Sequence, residues 1–248
     1  MRLAMVMGVL LASVCSAAGA KDGKPVTFTT SARVEVDANG TPVKVDAATD
    51  LPDAVRTFVE QQLSQWKFSR TREGEAGNAA TWIRLGACAV PKGDGTYALG
   101  LAYGGHGPRL AGGATWPHPE GLGAWALRSG FNGHADLQFT VSADGTAKLD
   151  EIEGVSNPGQ RKNLKSILGP WVADQHFDPE QIAGKPVATR STLVIEFVTD
   201  SGRSPRATDQ RIEAKVLASP ACQRAGMATV PGLHSVAVDS VVSVEPAI

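Results

Sequence analysis

The feature that most constrains this chain is a phrase that occurs twice in it. In "SARVEVDANGTPVKV", Val34 and Val36 alternate with polar residues, Asn39-Gly40 follows, and Val43 and Val45 resume the alternation. In "ADLQFTVSADGTAKLDEI", Leu137, Phe139 and Val141 alternate, Asp144-Gly145 follows, and Leu149 and Ile152 resume. Gly40 and Gly145 are 105 residues apart. Apolar–polar alternation is the period of a strand with one buried face. Asn-Gly or Asp-Gly between two such runs is the strongest short hairpin signal, because both central residues tolerate positive φ. Each phrase therefore predicts a hairpin. At strand spacing, Asp150 and Ile152 face one way and Glu151 and Glu153 the other.

The same order continues after each hairpin. "DLPDAVRTFVEQQLSQWKF" puts Val55, Phe58, Val59, Leu63 and Trp66 on one helical face, with Asp50 as cap and Pro52 in the first turn. "NPGQRKNLKSILGPWVADQHF" has Asn157 as cap, Pro158 opening the helix, and a stripe of Leu164, Ile167, Leu168 and Trp171. Gly169-Pro170 is expected to stop or kink that helix, since proline removes a backbone donor. Trp66 and Trp171 are also 105 residues apart and are expected to be equivalent core positions. "TWIRLGACAV", with Ile83, Leu85 and Ala87 on one side, and "STLVIEFVTD", with Leu193, Ile195 and Phe197, close the two copies as strands. Further strands are expected at "TYALGLAY", "QRIEAKVLAS" and "HSVAVDSVVSV". "GGHGPRLAGGATWPHPEGLG" is too rich in Gly and Pro for a packed element and reads as a linker. The expected class is α+β: two strand-strand-helix-strand units, each an antiparallel sheet on a helix, with additional strands. The first unit with its extra strand covers 21–103, a linker 104–116, the second unit 117–200 and a β extension 201–248.

The chain begins "MRLAMVMGVLLASVCSAAGA": one arginine, an apolar run, then small residues ending Ala18-Gly19-Ala20. That is the three-part form of a secretory signal peptide over 1–20, cleaved after Ala20. One alternative is an uncleaved anchor, for which the run is barely long enough and is diluted by Ser and Gly. Another is a lipoprotein, for which Val14 is large at the position before a lipidated Cys15. Cleavage leaves Cys88 and Cys222. Two thiols in an oxidising compartment point to one disulfide, the alternative being two separate thiols. A formal net charge of −1 gives no basic field to draw in nucleic acid. No later run approaches the roughly 18 apolar residues of a spanning helix.

Motifs for chemistry are sparse. His106, His118, His134, His176 and His234 show neither H-x-H nor H-E-x-x-H spacing, and no cysteine pair accompanies them. His106 and His118 flank Trp116, which fits a loose metal or ligand site less well than solvated loop histidines. There is no G-x-S-x-G elbow for a hydrolase. "AGKPV" lacks the Gly-rich lead and the Ser or Thr of a phosphate loop, and no motif calls for a cofactor.

Two longer stretches carry a family resemblance. "ALRSGFNGHADLQFTVSADG" resembles the short helix, paired glycines, first strand and Asp-Gly turn of the C-terminal domain of TonB, the energy transducer of Gram-negative envelopes. "DQHFDPEQIAGKPVATRSTLVIEF" resembles that family's aromatic-Pro, Gly-Lys-Pro and final strand. In the first copy "QWKFSR" is similar to the family's Trp-x-Phe, but the leading helix is lacking and "EGEAGNAA" stands where Gly-Lys-Pro would be. The resemblance implies a small antiparallel sheet on a helix, whose last strand accepts an extended peptide from an outer-membrane receptor by strand addition. Here that strand is Ser191, Thr192, Leu193, Val194, Ile195, Glu196, Phe197, Val198 and Thr199. The family's proline-rich spacer and retained anchor are missing. The resemblance therefore implies a soluble periplasmic or secreted relative rather than an energy transducer.

Three readings follow, in decreasing weight. The first is a non-enzymatic interaction module that binds a peptide or partner protein at a sheet edge, in envelope transport. The second is a structural envelope protein whose two copies pair with each other. The third is an enzyme of unrecognised type. An open outer edge on "STLVIEFVTD" favours the first, and tail strands covering that edge favour the second. Intact-mass measurement of the exported protein checks the leader: the expected mature chain begins at Lys21, and a mass that retains residues 1–20 or carries a lipid on Cys15 contradicts it.

Overall fold

The structure is a computed structural model that describes residues 26–72, 75–92, 96–114, 116–197 and 235–246. The expected leader, the strand expected at "QRIEAKVLAS", and Val198, Thr199, Cys222 and His234 lie outside these residues. In chain order the first half runs β1 (Val26–Val36), β2 (Pro42–Ala47), α1 (Asp53–Leu63), β3 (Lys67–Arg70), β4 (Ala79–Pro91) and β5 (Tyr97–Gly107). The second runs β6 (Arg109–Leu110), α2 (Leu122–Ser129), β7 (Gly133–Val141), β8 (Ala147–Glu153), α3 (Pro158–Ala173), β9 (Phe177–Asp178), β10 (Glu180–Ile182), β11 (Lys185–Val187) and β12 (Thr189–Phe197). Two tail strands follow, β13 (Ser235–Ala237) and β14 (Val242–Glu245). The fold is mixed α+β with antiparallel sheets. The strand order β2-β1-β4 in the first half matches β8-β7-β12 in the second.

The apolar alternation builds a core in each half. Val34, Val36, Ile83 and Leu85 meet Val59 and Leu63 of α1. Leu137, Phe139, Val141, Leu193 and Ile195 meet Leu164 and Leu168 of α3. Asn157 caps α3 as expected, its Oδ1 accepting the Gly159 and Gln160 N–H groups at 2.9 and 3.1 Å. On α1 the capping position is Pro52, with no side-chain bond, so Asp50 is not the cap.

The hairpin turns differ from the two-residue form. Asp37 N–H donates to Thr41 O at 3.0 Å, leaving three loop residues of which only Gly40 has positive φ, 80°. Asn39 stays outside the left-handed region and donates its N–H to Asp37 Oδ1 at 2.8 Å. This is the three-residue loop with a single left-handed glycine. The second turn repeats it, with Ser142 N–H on Thr146 O at 2.8 Å and Gly145 at φ 83°. Close approach also demands glycine. A Cβ on Gly40 would lie 2.0 Å from Phe68 O, and one on Gly145 2.4 Å from Phe177 O.

Those contacts date the loss of register between the halves. The turn glycines are 105 residues apart, but Phe68 and Phe177 are 109 apart. The difference of four comes from a longer second helix, 16 residues in α3 against 11 in α1, less one residue in the connection from Ala173 to Phe177 compared with Leu63 to Phe68. α3 does not stop at Gly169-Pro170 but runs through to Ala173. Val172 is completely buried and Trp171 lies 4.8 Å from Trp116, so packing of the last turn outweighs the proline cost of about 3 kcal/mol. Trp66 lies past the end of α1, edge-on to Tyr103 at 6.0 Å. Trp66 is buried and Trp171 half-buried, so the two are not equivalent positions.

Two further expectations are corrected. A bulge between β7 and β8 leaves Asp150, Glu151 and Glu153 all exposed while Leu149 and Ile152 are both buried. Leu149 and Ile152 are three apart, and a strand can turn both inward only with an extra residue. The Gly/Pro-rich segment is also more than a linker. Gly104–Gly107 belong to β5, β6 pairs β9, and Trp116 packs on Phe139 and Phe177 at 5.7 and 5.6 Å.

The halves interleave. β10 pairs with the start of β4 in the first sheet, β14 pairs β3, and β13 pairs β12. Gly40→Ala and Gly145→Ala should each destabilise by at least about 1 kcal/mol, through φ strain and the carbonyl clash. Gly123→Ala in α2, where a Cβ meets open space, should not destabilise. Urea unfolding checks this; equal effects at the three positions would contradict it.

Candidate functional site

β12 lies between β7 and β13. Arg190 fixes the direction of its backbone groups. Its N–H donates to Asp239 Oδ1 at 2.6 Å and its C=O accepts from Val238 N–H at 2.8 Å, so both face the tail. Neighbouring residues of a strand alternate sides. Thr192, Val194 and Glu196 therefore point their N–H and C=O to the outer edge, and Ser191, Leu193, Ile195 and Phe197 point theirs to β7. Of the expected partner strand, Ser191, Thr192 and Leu193 are paired by Ala237, Val236 and Ser235 of the tail. Val194–Phe197 have no strand on that edge among the described residues.

Val194, Glu196 and Phe197 border a cleft with two carboxylates in its lining. The cleft, about 520 Å³, lies between Asn132, His134 and Asp136 on one side and Val194, Glu196 and Phe197 on the other. In the sheet register Glu153 is directly opposite Asp136, Asp136 opposite Val194, and His134 opposite Glu196. Asp136 Oδ1 is enclosed and has no hydrogen-bond donor among the described residues. Beneath the sheet, Phe197 packs on Trp125 and Phe131 at 5.5 and 5.2 Å, which anchors this end to α2.

A second group of polar residues joins the halves, and nothing in the sequence pattern singled it out. Glu180 of β10 is completely buried. Its Oε1 accepts from Thr81 Oγ1 at 2.5 Å and Ser240 Oγ at 2.6 Å. Its Oε2 accepts from Thr189 Oγ1 at 2.9 Å and Val241 N–H at 3.2 Å. One carboxyl thus ties β4, β12 and the tail together, and no Lys or Arg pairs with it among the described residues. Burial raises its pKa above the ordinary carboxylate value, against the lowering effect of the four donors. Nearby, Arg109 bonds Asp178 at 2.8 Å and Ser31 Oγ at 3.0 Å, with its guanidinium 3.4 Å from the Trp82 ring centre.

A third cluster lies where the tail crosses the first sheet. Arg84 Nη1 donates to Ser235 Oγ at 3.1 Å, while its Nε and Nη2 are enclosed without partners among the described residues. Burial pulls its pKa down to about 10. Tyr103 Oη contacts His106 Nδ1. Burial pushes the phenol up to about 12, and burial and then Arg84 lower the imidazole. His106 is thus held by Tyr103 in β5, while His118 is exposed ahead of α2. No group of three or more His, Cys, Asp or Glu is placed to hold a metal among the described residues. Cys88 is completely buried on β4 and disulfide-bonded; the cysteine expected to pair with it, Cys222, lies outside the described residues. Among the described residues no helix is long and apolar enough to cross a membrane.

No protein-family model, curated protein or solved structure matches this chain.

The Glu180 junction generates a pH dependence. A carboxyl whose pKa is higher folded than unfolded binds its proton more tightly in the folded state, so its contribution to stability is full at low pH and lost as pH rises through the folded value. Glu180→Gln lacks that proton. The stability of wild type relative to Glu180→Gln should therefore fall as pH is raised from about 4.5 toward neutrality, in urea unfolding across that range. A difference that is constant with pH, or that grows as pH rises, contradicts the account.

Proposed function

We propose that the chain is a non-enzymatic protein-binding module of the Gram-negative periplasm. It is similar in plan to the C-terminal domain of TonB, and it takes an extended peptide or partner protein as an added strand on the outer edge of β12. The observation that carries this reading is the outward N–H and C=O of Val194 and Glu196, which no strand among the described residues pairs. Two other edges, β2 and β8, carry charge, which discourages pairing. β2 carries the Lys44–Asp46 ion pair, and β8 carries Lys148, Asp150, Glu151 and Glu153. The first-half counterpart, β4, has its outer edge filled by β10 and then β5. Two donors and two acceptors at about 0.5–1.5 kcal/mol each give a modest affinity once ordering is subtracted. The adjoining cleft supplies the remaining contact. The signal-like leader and the disulfide-bonded Cys88 support an oxidising, exported setting.

The second reading, a structural envelope protein, is favoured by a specific observation. β13 already occupies Ser191–Leu193, and Glu180 locks the halves together without a ligand. The two readings separate on one substitution. Val194→Pro deletes an outward N–H, a position where an edge strand tolerates proline. The variant should keep the wild-type circular dichroism spectrum and lose the proteins that the wild type retains from periplasmic and outer-membrane extracts. A folded Val194→Pro that retains the same proteins replaces the strand-addition reading with the structural one.

A further inference from the structure

We infer that Asn39 is a site of spontaneous chemical modification, where the side-chain amide is lost to attack by the Gly40 nitrogen, and that Asp37 sets the rate. The reaction needs only water. The Gly40 nitrogen gives its proton to solvent and bonds to Asn39 Cγ; the Cγ–Nδ2 bond breaks and ammonia leaves with a proton from solvent. Water then opens the cyclic succinimide at either carbonyl, giving aspartate or isoaspartate at position 39. Asn39 is exposed at the tip of the turn between β1 and β2, so its amide meets solvent. Glycine at the next position offers the least steric resistance, having no side chain and the widest backbone freedom. Asp37 opposes the attack. The Gly40 N–H donates to Asp37 O at 3.1 Å. The Asp37 Oδ1 accepts the Asn39 N–H at 2.8 Å and the Thr41 N–H at 2.9 Å. Gly40 is also buried. Its nitrogen can therefore attack only when the turn opens locally, and the Asp37 carboxylate holds the turn closed.

The second copy separates the two products. "DANGT" at 37–41 corresponds to "SADGT" at 142–146, so Asp144 stands where the first copy has Asn39. The two loops close with the same backbone bond and the same left-handed glycine. Asp144 Oδ1 accepts the Thr146 N–H at 3.0 Å and Thr146 Oγ1 at 2.7 Å. Thr41 offers the same hydroxyl in the first copy. An aspartate is therefore compatible with this turn. Isoaspartate is not, because it routes the main chain through an extra methylene just before Gly40. Gly40 has no room to shift toward β3, since even a Cβ there would lie 2.0 Å from Phe68 O. Phe68 is paired with Val244 of the tail. The isoaspartate form thus strains the turn and the β3–β14 pair together.

The test incubates the full-length exported chain at mildly alkaline pH, native and in urea. Amide loss is read by mass spectrometry on the tryptic peptide spanning 34–44, which excludes the other Asn-Gly pair, Asn132-Gly133. Asn39 should convert in the native protein about ten-fold more slowly than in urea, and Asp37→Ala should bring the native rate close to the unfolded one. If Asp37→Ala loses the wild-type circular dichroism spectrum, Asp37→Ser, with the serine of the second copy, should give a smaller acceleration, because a neutral acceptor bonds less strongly than a carboxylate. Asn39→Asp should keep the wild-type spectrum, and the isoaspartate form, separated by chromatography, should unfold at lower urea than Asn39→Asp. An intact Asn39 in the native protein, when the urea sample has converted, overturns the site. Equal native rates in wild type and the Asp37 variant overturn the role of Asp37. Equal stability of the isoaspartate form and Asn39→Asp overturns the distinction between the products.

Discussion

A strand exposes hydrogen-bonding groups along two edges, and each edge must be paired, guarded or used. This chain is organised around how its edges are closed. β4 has β1 on one side and β10 followed by β5 on the other. The short strand after each helix receives a short strand from elsewhere in the chain: β14 on β3, β6 on β9. β12 has β7 along its whole length, but β13 along only three residues among those described. The third strands of the two halves thus occupy the same place in the same order and differ, among the described residues, in how much of the outer edge is filled. That difference is the physical basis of the functional proposal.

The pairing of the halves and the binding of a partner are compatible. Among the described residues Glu180 has four donors and no cation, so it stabilises less by charge than by specifying one arrangement: its two oxygens are satisfied only when β4, β12 and the tail are all in place. Arg33 Nη2 on Gln181 Oε1 at 2.8 Å and Ala183 N–H on Asn78 O at 2.7 Å add to the same seam. A seam of this kind ties the second sheet to the first.

The local parts of the fold were legible in the sequence. Alternation around Gly40 and Gly145 located both hairpins, and Asn157-Pro158 located the start of α3. The parts that failed depended on contacts distant in sequence. Pro170 stays helical because Trp116, far upstream, packs on the turn after it. Trp66 leaves the helix because α1 is shorter than α3, a difference that equal tryptophan spacing conceals. The bulge at Asp150 was legible in principle, since Leu149 and Ile152 are three apart where strict alternation requires an even spacing. Of the candidate site, the strand was legible from its alternation, but the pairing of Ser191–Leu193 with β13 was not, because it joins segments distant in sequence. Glu180 had no signal: a lone acid in "FDPEQIAG" reads as solvated until its four partners, from three separate segments, are brought together.

The central claim is that the outer edge of β12 is open beyond Leu193, and amide hydrogen exchange on the free full-length protein tests it most directly. The Thr192 amide, which faces β13, and the Ile195 amide, which faces β7, should be protected. The Val194 and Glu196 amides, which face the open edge, should exchange far faster than Ile195 between them. Protection of Val194 and Glu196 equal to that of Ile195 in the free protein would mean that the edge is already closed, and would contradict the account.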